Sequence, residues 1–451
     1  MKETRPIVLL LLGFLLALRL AAQDSPRQMS LETCIQFAVN NSTGVEKARL
    51  EVEKARHKSK EFFSLGLPKV DLNLNFQYNI ELPTQQLPGE ILGSPGERVP
   101  VQFGTDLTAG SGIQLNQMVY NPIYAIGLEG TRKLVEVSNA GYEKSKADIA
   151  YEVGATYYQA LTAKKQKDIL QANLAQVVKL LDLTQSQFDN GLAKKVDVDQ
   201  LTVSRVNLET SMENLDLQYW QLLDLLKYRM SMPLEQDIEL QDTISEQAYT
   251  YPALALQPAD FSKKPEMTLL LLQRDLNEIN VRQLRAGYYP SLYLFGGYNW
   301  QGQGNNFGEI FDGKNWFSSS LVGLRLSMPL FDGFERREKI AQARIDLEKW
   351  RQDEKFTKQS LDLQHRSARQ KLQVNYNNLQ SLAQNRRVAE EVYAVSQERF
   401  SEGVAPIVEL LQAETSMRSA QTNYLTALLQ IKLAELELLH ARGELLENIN
   451  Q

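Results

Sequence analysis

Hydrophobic and polar positions follow two different periods along this chain. From Val70 to Leu82 the stretch VDLNLNFQYNIEL alternates without error. Val70, Leu72, Leu74, Phe76, Tyr78, Ile80 and Leu82 are apolar or aromatic; Asp71, Asn73, Asn75, Gln77, Asn79 and Glu81 are polar. A period of two predicts a β-strand with one apolar and one polar face. Most of the remaining chain carries the helical period instead. Ile149, Val153, Tyr157 and Leu161, then Leu170, Leu174, Val177 and Leu181, recur every three or four residues among Lys, Glu, Gln and Asp. That spacing predicts an amphipathic helix with an apolar seam.

Proline and glycine mark where helices end. Prolines cluster at Pro68–Pro122, Pro233–Pro265 and Pro290–Pro329, and Phe334–Glu402 contains neither proline nor glycine. A helix over that last span is on the order of 100 Å long. The pattern predicts long helices at about 124–188, 196–230, 334–400 and 405–443. It predicts strands at about 70–82, 109–120, 291–300 and 318–330. In the last strand Val322, Leu324, Leu326, Met328 and Leu330 alternate with Gly323, Arg325 and Ser327.

The chain also repeats itself. QFDNGLAKKVDVDQL (Gln187–Leu201) aligns with RFSEGVAPIVELLQA (Arg399–Ala413) at an offset of 212, and GIQLNQMVYNP (Gly112–Pro122) with GLRLSMPLFDG (Gly323–Gly333) at 211. Ordered matches at nearly constant offset predict two structural repeats, 23–230 and 264–443. Between them lies a linker, 231–263, and a tail follows at 444–451.

A strand of thirteen residues exceeds the five or six usual in soluble sheets. It suits a tilted membrane strand, which needs about 9–11 residues. Val70, Leu72, Leu74, Phe76, Tyr78 and Ile80 are then expected to face lipid, and Asp71, Asn73, Asn75, Gln77 and Asn79 a polar lumen. Four strands cannot close a barrel, and lipid offers no partner to an open edge. Several copies must therefore share one barrel. Two copies give eight strands and an interior that side chains fill; three give twelve and room for water.

Composition narrows the partners. The net charge of −6 gives no basic face for nucleic acid. One cysteine, Cys34, excludes an internal disulfide and reads as a small buried hydrophobe on a helix. Lys2 and Arg5 precede an apolar run from Ile7 to Leu18, the pattern of an export signal over residues 1–22 cut after Ala22. An uncleaved anchor is the alternative.

Taken in order, LETCIQFAVNNS near the start, Leu67-Pro68 and Tyr289-Pro290 before strands, PLFDG (Pro329–Gly333) and the paired NGL and EGV turns resemble the outer membrane efflux protein (TolC) family. The resemblance covers nearly the whole mature chain. It implies a mainly α protein with a membrane β part. It implies a homotrimer with a shared twelve-stranded β-barrel in the outer membrane and a long α-helical barrel in the periplasm. It implies an exit duct of a tripartite efflux or type I secretion system, docked on a periplasmic adaptor and fed by an inner-membrane pump of RND or ABC type. Position by position, it places Glu409 and Gln412 at the periplasmic mouth, with Asp197, the repeat partner of Glu409, and Asp189 nearby. Gln412 stands where an acid is often found in the family. Ordinary helix-start acids are the other reading of these carboxylates. The turns at Gly191, Leu192, Gly403 and Val404 are then the surfaces for the adaptor.

Catalytic chemistry finds no support. His57, His365 and His440 are scattered without a partner at metal-ligand spacing, so no metal site is expected. GQGNNFG (Gly302–Gly308) lies between strands with the wrong spacing for a dinucleotide site. No cofactor and no enzyme activity are expected. The reading from a different class is an exported coiled-coil scaffold or adhesin without a pore.

Overall fold

The computed structural model describes residues 27–88, 93, 96–244 and 260–449. The export signal and part of the 231–263 linker lie outside the described residues. In chain order the elements are β1 (Arg27–Met29), α1 (Leu31–Asn41), α2 (Thr43–Ser64), β2 (Lys69–Tyr78), β3 (Thr84–Pro88), β4 (Arg98–Gln102), β5 (Leu107–Tyr120), α3 (Pro122–Asp189), α4 (Lys195–Met230), β6 (Ile238–Leu240), α5 (Pro265–Ala286), β7 (Ser291–Gly304), α6 (Phe307–Phe311), β8 (Trp316–Ser327), α7 (Glu335–Ser401), α8 (Ile407–Arg442) and α9 (Leu445–Ile449). Among the described residues no helix is long and apolar enough to cross a membrane.

The described residues fall into two compact units, one within Met1–Val52, Ser138–Leu271 and Asp353–Gln451, the other Glu53–Val137 and Leu272–Gln352. Each unit takes segments from both halves of the chain, because strands and helices of the first half pack with those of the second.

The second unit holds a four-stranded sheet in the order β2-β5-β7-β8, antiparallel throughout. Its register sorts the side chains. Directly opposed residues of an antiparallel pair share a face. Leu72 pairs with Ile113, Ile113 with Tyr298 and Tyr298 with Ser320; Val70 pairs with Leu115, Leu115 with Gly296 and Gly296 with Val322. Leu294 pairs with Leu324 and Leu292 with Leu326 on the same face. The other face carries Asp71, Gln114 and Gly297 in one row, Asn73, Gly112 and Asn299 in the next, then Asn75, Gly110 and Gln301, then Gln77, Thr108 and Gln303. Gly110 and Gly112 leave the space into which the Asn75 and Asn299 side chains lie. The sheet is thus mainly apolar on one side and amide-rich on the other across β2, β5 and β7, while β8 adds Ser318 and Ser320 to the first side and Phe317 and Leu321 to the second. Its apolar side is bare within the chain: Leu74 is 74 % and Val322 79 % exposed. β2 and β8 form its two edges, and among the described residues no further strand lies beside either.

Sequence and structure differ at the strand ends. β2 stops at Tyr78, so Asn79 and Ile80, expected on its two faces, lie beyond the strand. The Asn79 side chain donates instead to the Thr105 carbonyl at 2.9 Å, and Pro83, which has no N–H, follows. β8 starts earlier than its alternation suggests and stops before Pro329. β7 continues to Gly304. Between β2 and β5 the chain forms a further antiparallel pair, β3 with β4. The helices after β5 and β8 start on side-chain caps: Asn121 Oδ1 accepts from Ile123 N at 2.9 Å, with Pro122 at the first helical position, and Asp332 Oδ2 accepts from Arg336 N at 3.3 Å.

The first unit is helical. α1 starts at Ser30, whose hydroxyl accepts from Thr33 N at 3.2 Å. Cys34, Ile35 and Ala38 of α1 pack with Ala150, Val153 and Tyr157 of α3, Leu226 and Met230 of α4, Leu372 of α7, and Leu425, Leu428 and Ile431 of α8. Cys34 is fully buried and free, and burial pushes its thiol up to about 12. The Tyr157 hydroxyl donates to Asp242 Oδ2 at 2.7 Å, and the same oxygen accepts from Leu31 N at 2.9 Å. This ties α3 and α1 to the segment after β6. A second cluster lies toward the helix tips: Leu170, Val177 and Leu180 of α3, Leu201 and Leu208 of α4, Tyr393 of α7, and Ile407, Leu410, Ala413 and Met417 of α8. Leu170 and Val177, Leu201 and Leu208, and Leu410 and Met417 are each separated by seven residues, the spacing of coiled-coil layers. The apolar seam of α3 is therefore buried, with Ile149, Leu174 and Leu181 packed partly exposed at its margins.

Candidate functional site: the helix tips

The two helical hairpins end in the same turn. Gly191 N donates to Phe188 O at 2.8 Å and Leu192 N to Gln187 O at 2.8 Å; Gly403 N donates to Phe400 O at 3.0 Å and Val404 N to Arg399 O at 2.8 Å. These crossed bonds are a Schellman motif, which needs a left-handed residue after the helix. Gly191 has φ of 76° and Gly403 of 73°, a region where a Cβ clashes with the backbone. Leu192 and Val404 follow and are exposed, Leu192 by 82 %. Each tip thus offers one bare apolar side chain on a fixed turn.

The acids at the two tips are held differently. Arg399, on the last turn of α7, makes a charge-assisted hydrogen bond from Nη1 to Glu409 Oε1 on the first turn of α8. The Arg399 position of the first hairpin is Gln187, so the ion pair has no counterpart there. Asp197 instead accepts from the Lys194 N–H at 3.3 Å, closing the start of its own helix. This supports the helix-start reading for Asp197. Asp189 accepts from Gln185 Nε2 at 2.8 Å, and Gln412 is exposed on α8. Glu409 is therefore not a bare carboxylate: copies arranged in a ring would present ion pairs rather than unpaired like charges. The signal for Arg399 lay in the turn itself, which sets the end of one helix against the start of the next.

Of the three histidines, His57 is exposed. His365 is buried against Phe261, and burial lowers its pKa, aided by Arg442 and Arg369. His440 does have partners, contrary to the sequence reading. Its Nε2 is 3.2 Å from Asp148 Oδ1, and the ligand atoms of Asp148, Glu266 and His440 all lie within 4.8 Å of one another. The fold brings together residues 292 positions apart, which no local spacing announces. Lys144 Nζ bonds Asp148 Oδ2 at 2.5 Å and is 4.0 Å from Glu266, so an ammonium already supplies positive charge to the carboxylates. The His440 hydrogen bond, and then Lys144, hold the Asp148 carboxyl down to about 2.

The outer membrane efflux protein family profile matches residues 262–444. Outer membrane protein TolC of Escherichia coli (strain K12) is 22 % identical over 456 residues, covering 97 % of this chain and 87 % of that protein. Alkaline protease secretion protein AprF of Pseudomonas aeruginosa is 25 % identical, covering 68 % of this chain and 66 % of that protein. The outer membrane protein VceC of Vibrio cholerae shares the fold with a TM-score of 0.72 at 15 % identity, over 92 % of this chain and 96 % of that one. Near full-length similarity to TolC, the profile match over residues 262–444 and the shared fold together make this chain similar to the outer membrane efflux proteins of the TolC family.

Proposed function

We propose that the chain is an outer-membrane exit duct, non-enzymatic, through which an efflux or secretion system passes its cargo to the exterior. One observation carries the reading. The β2-β5-β7-β8 sheet has a largely apolar face, an opposite face that is amide-rich over β2, β5 and β7, and, among the described residues, two open edges. A soluble protein that left such a face bare would aggregate. In lipid the same sheet is stable once its edges are closed. Edge β8 of one copy pairing with edge β2 of the next closes it, and three copies give twelve strands around an amide-lined lumen. The pairs 23–230 and 264–443 then act as two repeats of one protomer. The scaffold reading needs neither the apolar face nor the open edges.

On this reading the helix tips form the periplasmic mouth. Asp189, Asp197, Glu409 and Gln412 line or brace it, and Gly191, Leu192, Gly403 and Val404 meet a periplasmic adaptor, coupled to an RND or ABC pump. Residues 1–22 serve as export signal. The relatives TolC, an outer membrane protein, and AprF, an alkaline protease secretion protein, support an exit duct.

The test is conductance of the purified protein in planar lipid bilayers. Unitary current steps are expected, and Asn299→Lys on the amide face is expected to shift ion selectivity toward anions. No steps, or selectivity indifferent to Asn299, would overturn the duct.

A further inference from the structure

The N-terminal turns of α4 and α8, from Val196 to Asn207 and from Val408 to Arg418, flank an open groove of about 620 Å³. Val196 and Val203 on α4 and Val408 and Leu411 on α8 form apolar walls. Two acceptor oxygens on residues of these walls are buried without a donor: Gln200 Oε1 and Glu414 Oε1. Buried acceptors are normally satisfied, and leaving one unmet costs free energy that an incoming donor recovers.

Glu414 is the sharper of the two, with only 4 % of its surface exposed. Arg418 stays 3.8 Å from its Oε1, beyond hydrogen-bond distance, and Thr415 Oγ1 reaches only Oε2, at 3.5 Å. Burial raises the Glu414 carboxyl above its ordinary range, with Arg418 opposing, and the Glu414 charge adds to burial in raising Tyr393 of α7. The groove's ionisable residues are Asp199, Glu414 and Arg418, two acids and one base, for a net formal charge of −1. Apolar walls, two unmet acceptors and one surplus negative charge define one ligand chemistry.

We infer that this groove binds an amphiphilic organic cation, its primary ammonium donating to Glu414 and Gln200 and its apolar body lying among Val196, Val203, Val408 and Leu411. The site is separate from Glu409, whose carboxylate is engaged by Arg399. A ligand here touches the N-terminal turns of both hairpins' second helices, and so joins the two tips of one chain.

Fluorine NMR of the detergent-extracted full-length protein tests this with 4-fluorobenzylammonium as probe and 4-fluorobenzyl alcohol as its neutral counterpart. Saturable line broadening is expected for the ammonium, with affinity falling about tenfold or more in Glu414→Gln. Val203→Trp, a substitution at an exposed position that fills the groove, is expected to abolish it. The second variant decides the matter if the first does not fold. Equal binding of the neutral alcohol, no saturable binding of the ammonium, or binding unaffected by Val203→Trp would overturn the assignment.

Discussion

Arg399 and Glu409 close the second helical hairpin with an ion pair that the first hairpin lacks, since Gln187 replaces the arginine there. The two tips of one chain share a turn but differ in their latch. Both side chains are substantially exposed, so the pair contributes only about 0.2–1 kcal/mol. That is little for stability and enough to shift a mouth poised between two states. Glu409→Gln and Arg399→Ala are expected to raise bilayer conductance similarly, and the double variant no further than either single one. The charge-exchanged pair, Arg399→Glu with Glu409→Arg, is expected to restore the original conductance. Additive effects of the single changes would break the link between them.

The sheet faces give a sharper contrast. Leu74 and Asn75 are neighbours in β2 on opposite faces. Leu74→Arg puts a charge on the apolar face, at a cost of about 2–4 kcal/mol near mid-membrane. It is expected to abolish recovery of the protein from the outer membrane. Asn75→Arg puts the same charge on the amide face and is expected to leave membrane recovery intact. Equal behaviour of the two variants in membrane fractions would mean that the faces are not assigned as described.

The opening alternation in the sequence disclosed that sheet only in part. Val70 to Tyr78 were legible because side-chain period follows directly from strand geometry. The end of the strand was not, because it depends on where Asn79 finds a distant partner, the Thr105 carbonyl. The long helices were legible from the absence of breakers and their tips from the repeated glycines. The Asp148–His440 contact and the Glu414 groove were not, since both are made by side chains that only the packed helices bring together. Arg399 was visible as a residue but not as a partner until the turn geometry set it beside Glu409.

The turn glycines carry a stability prediction. Gly191 and Gly403 hold positive φ with open space around the missing Cβ. Substitution there meets backbone strain and no clash with neighbours. Gly403→Ala and Gly191→Ala are each expected to cost about 1–2 kcal/mol and to lower the Tm of the extracted protein. Gly403→Asn, which tolerates the left-handed region better, is expected to cost less than Gly403→Ala. An alanine variant as stable as the parent would contradict the turn assignment.

Acid sensitivity follows from Asp148. Its folded pKa lies at about 2, below its ordinary value, because the ionised form is bound by His440 and Lys144. A depressed carboxyl contributes stability above its unfolded pKa, near 4, and loses it as pH falls toward the folded value. The side chain is partly exposed, so the contribution is at most about 1 kcal/mol after screening. Asp148→Asn is expected to lower Tm at pH 7 and to have little effect at about pH 2. A deficit that persists unchanged at the acid end would assign the effect to packing rather than charge.

The central claim is that the open edges β2 and β8 are closed by other copies of the same chain. The mass of the particle extracted in mild detergent from the outer membrane, by native mass spectrometry of the untagged protein, tests it most directly. A particle of three chains is the expected result. A monomer or dimer recovered from the soluble fraction would contradict the shared barrel and leave the bare apolar face of the sheet without its proposed environment.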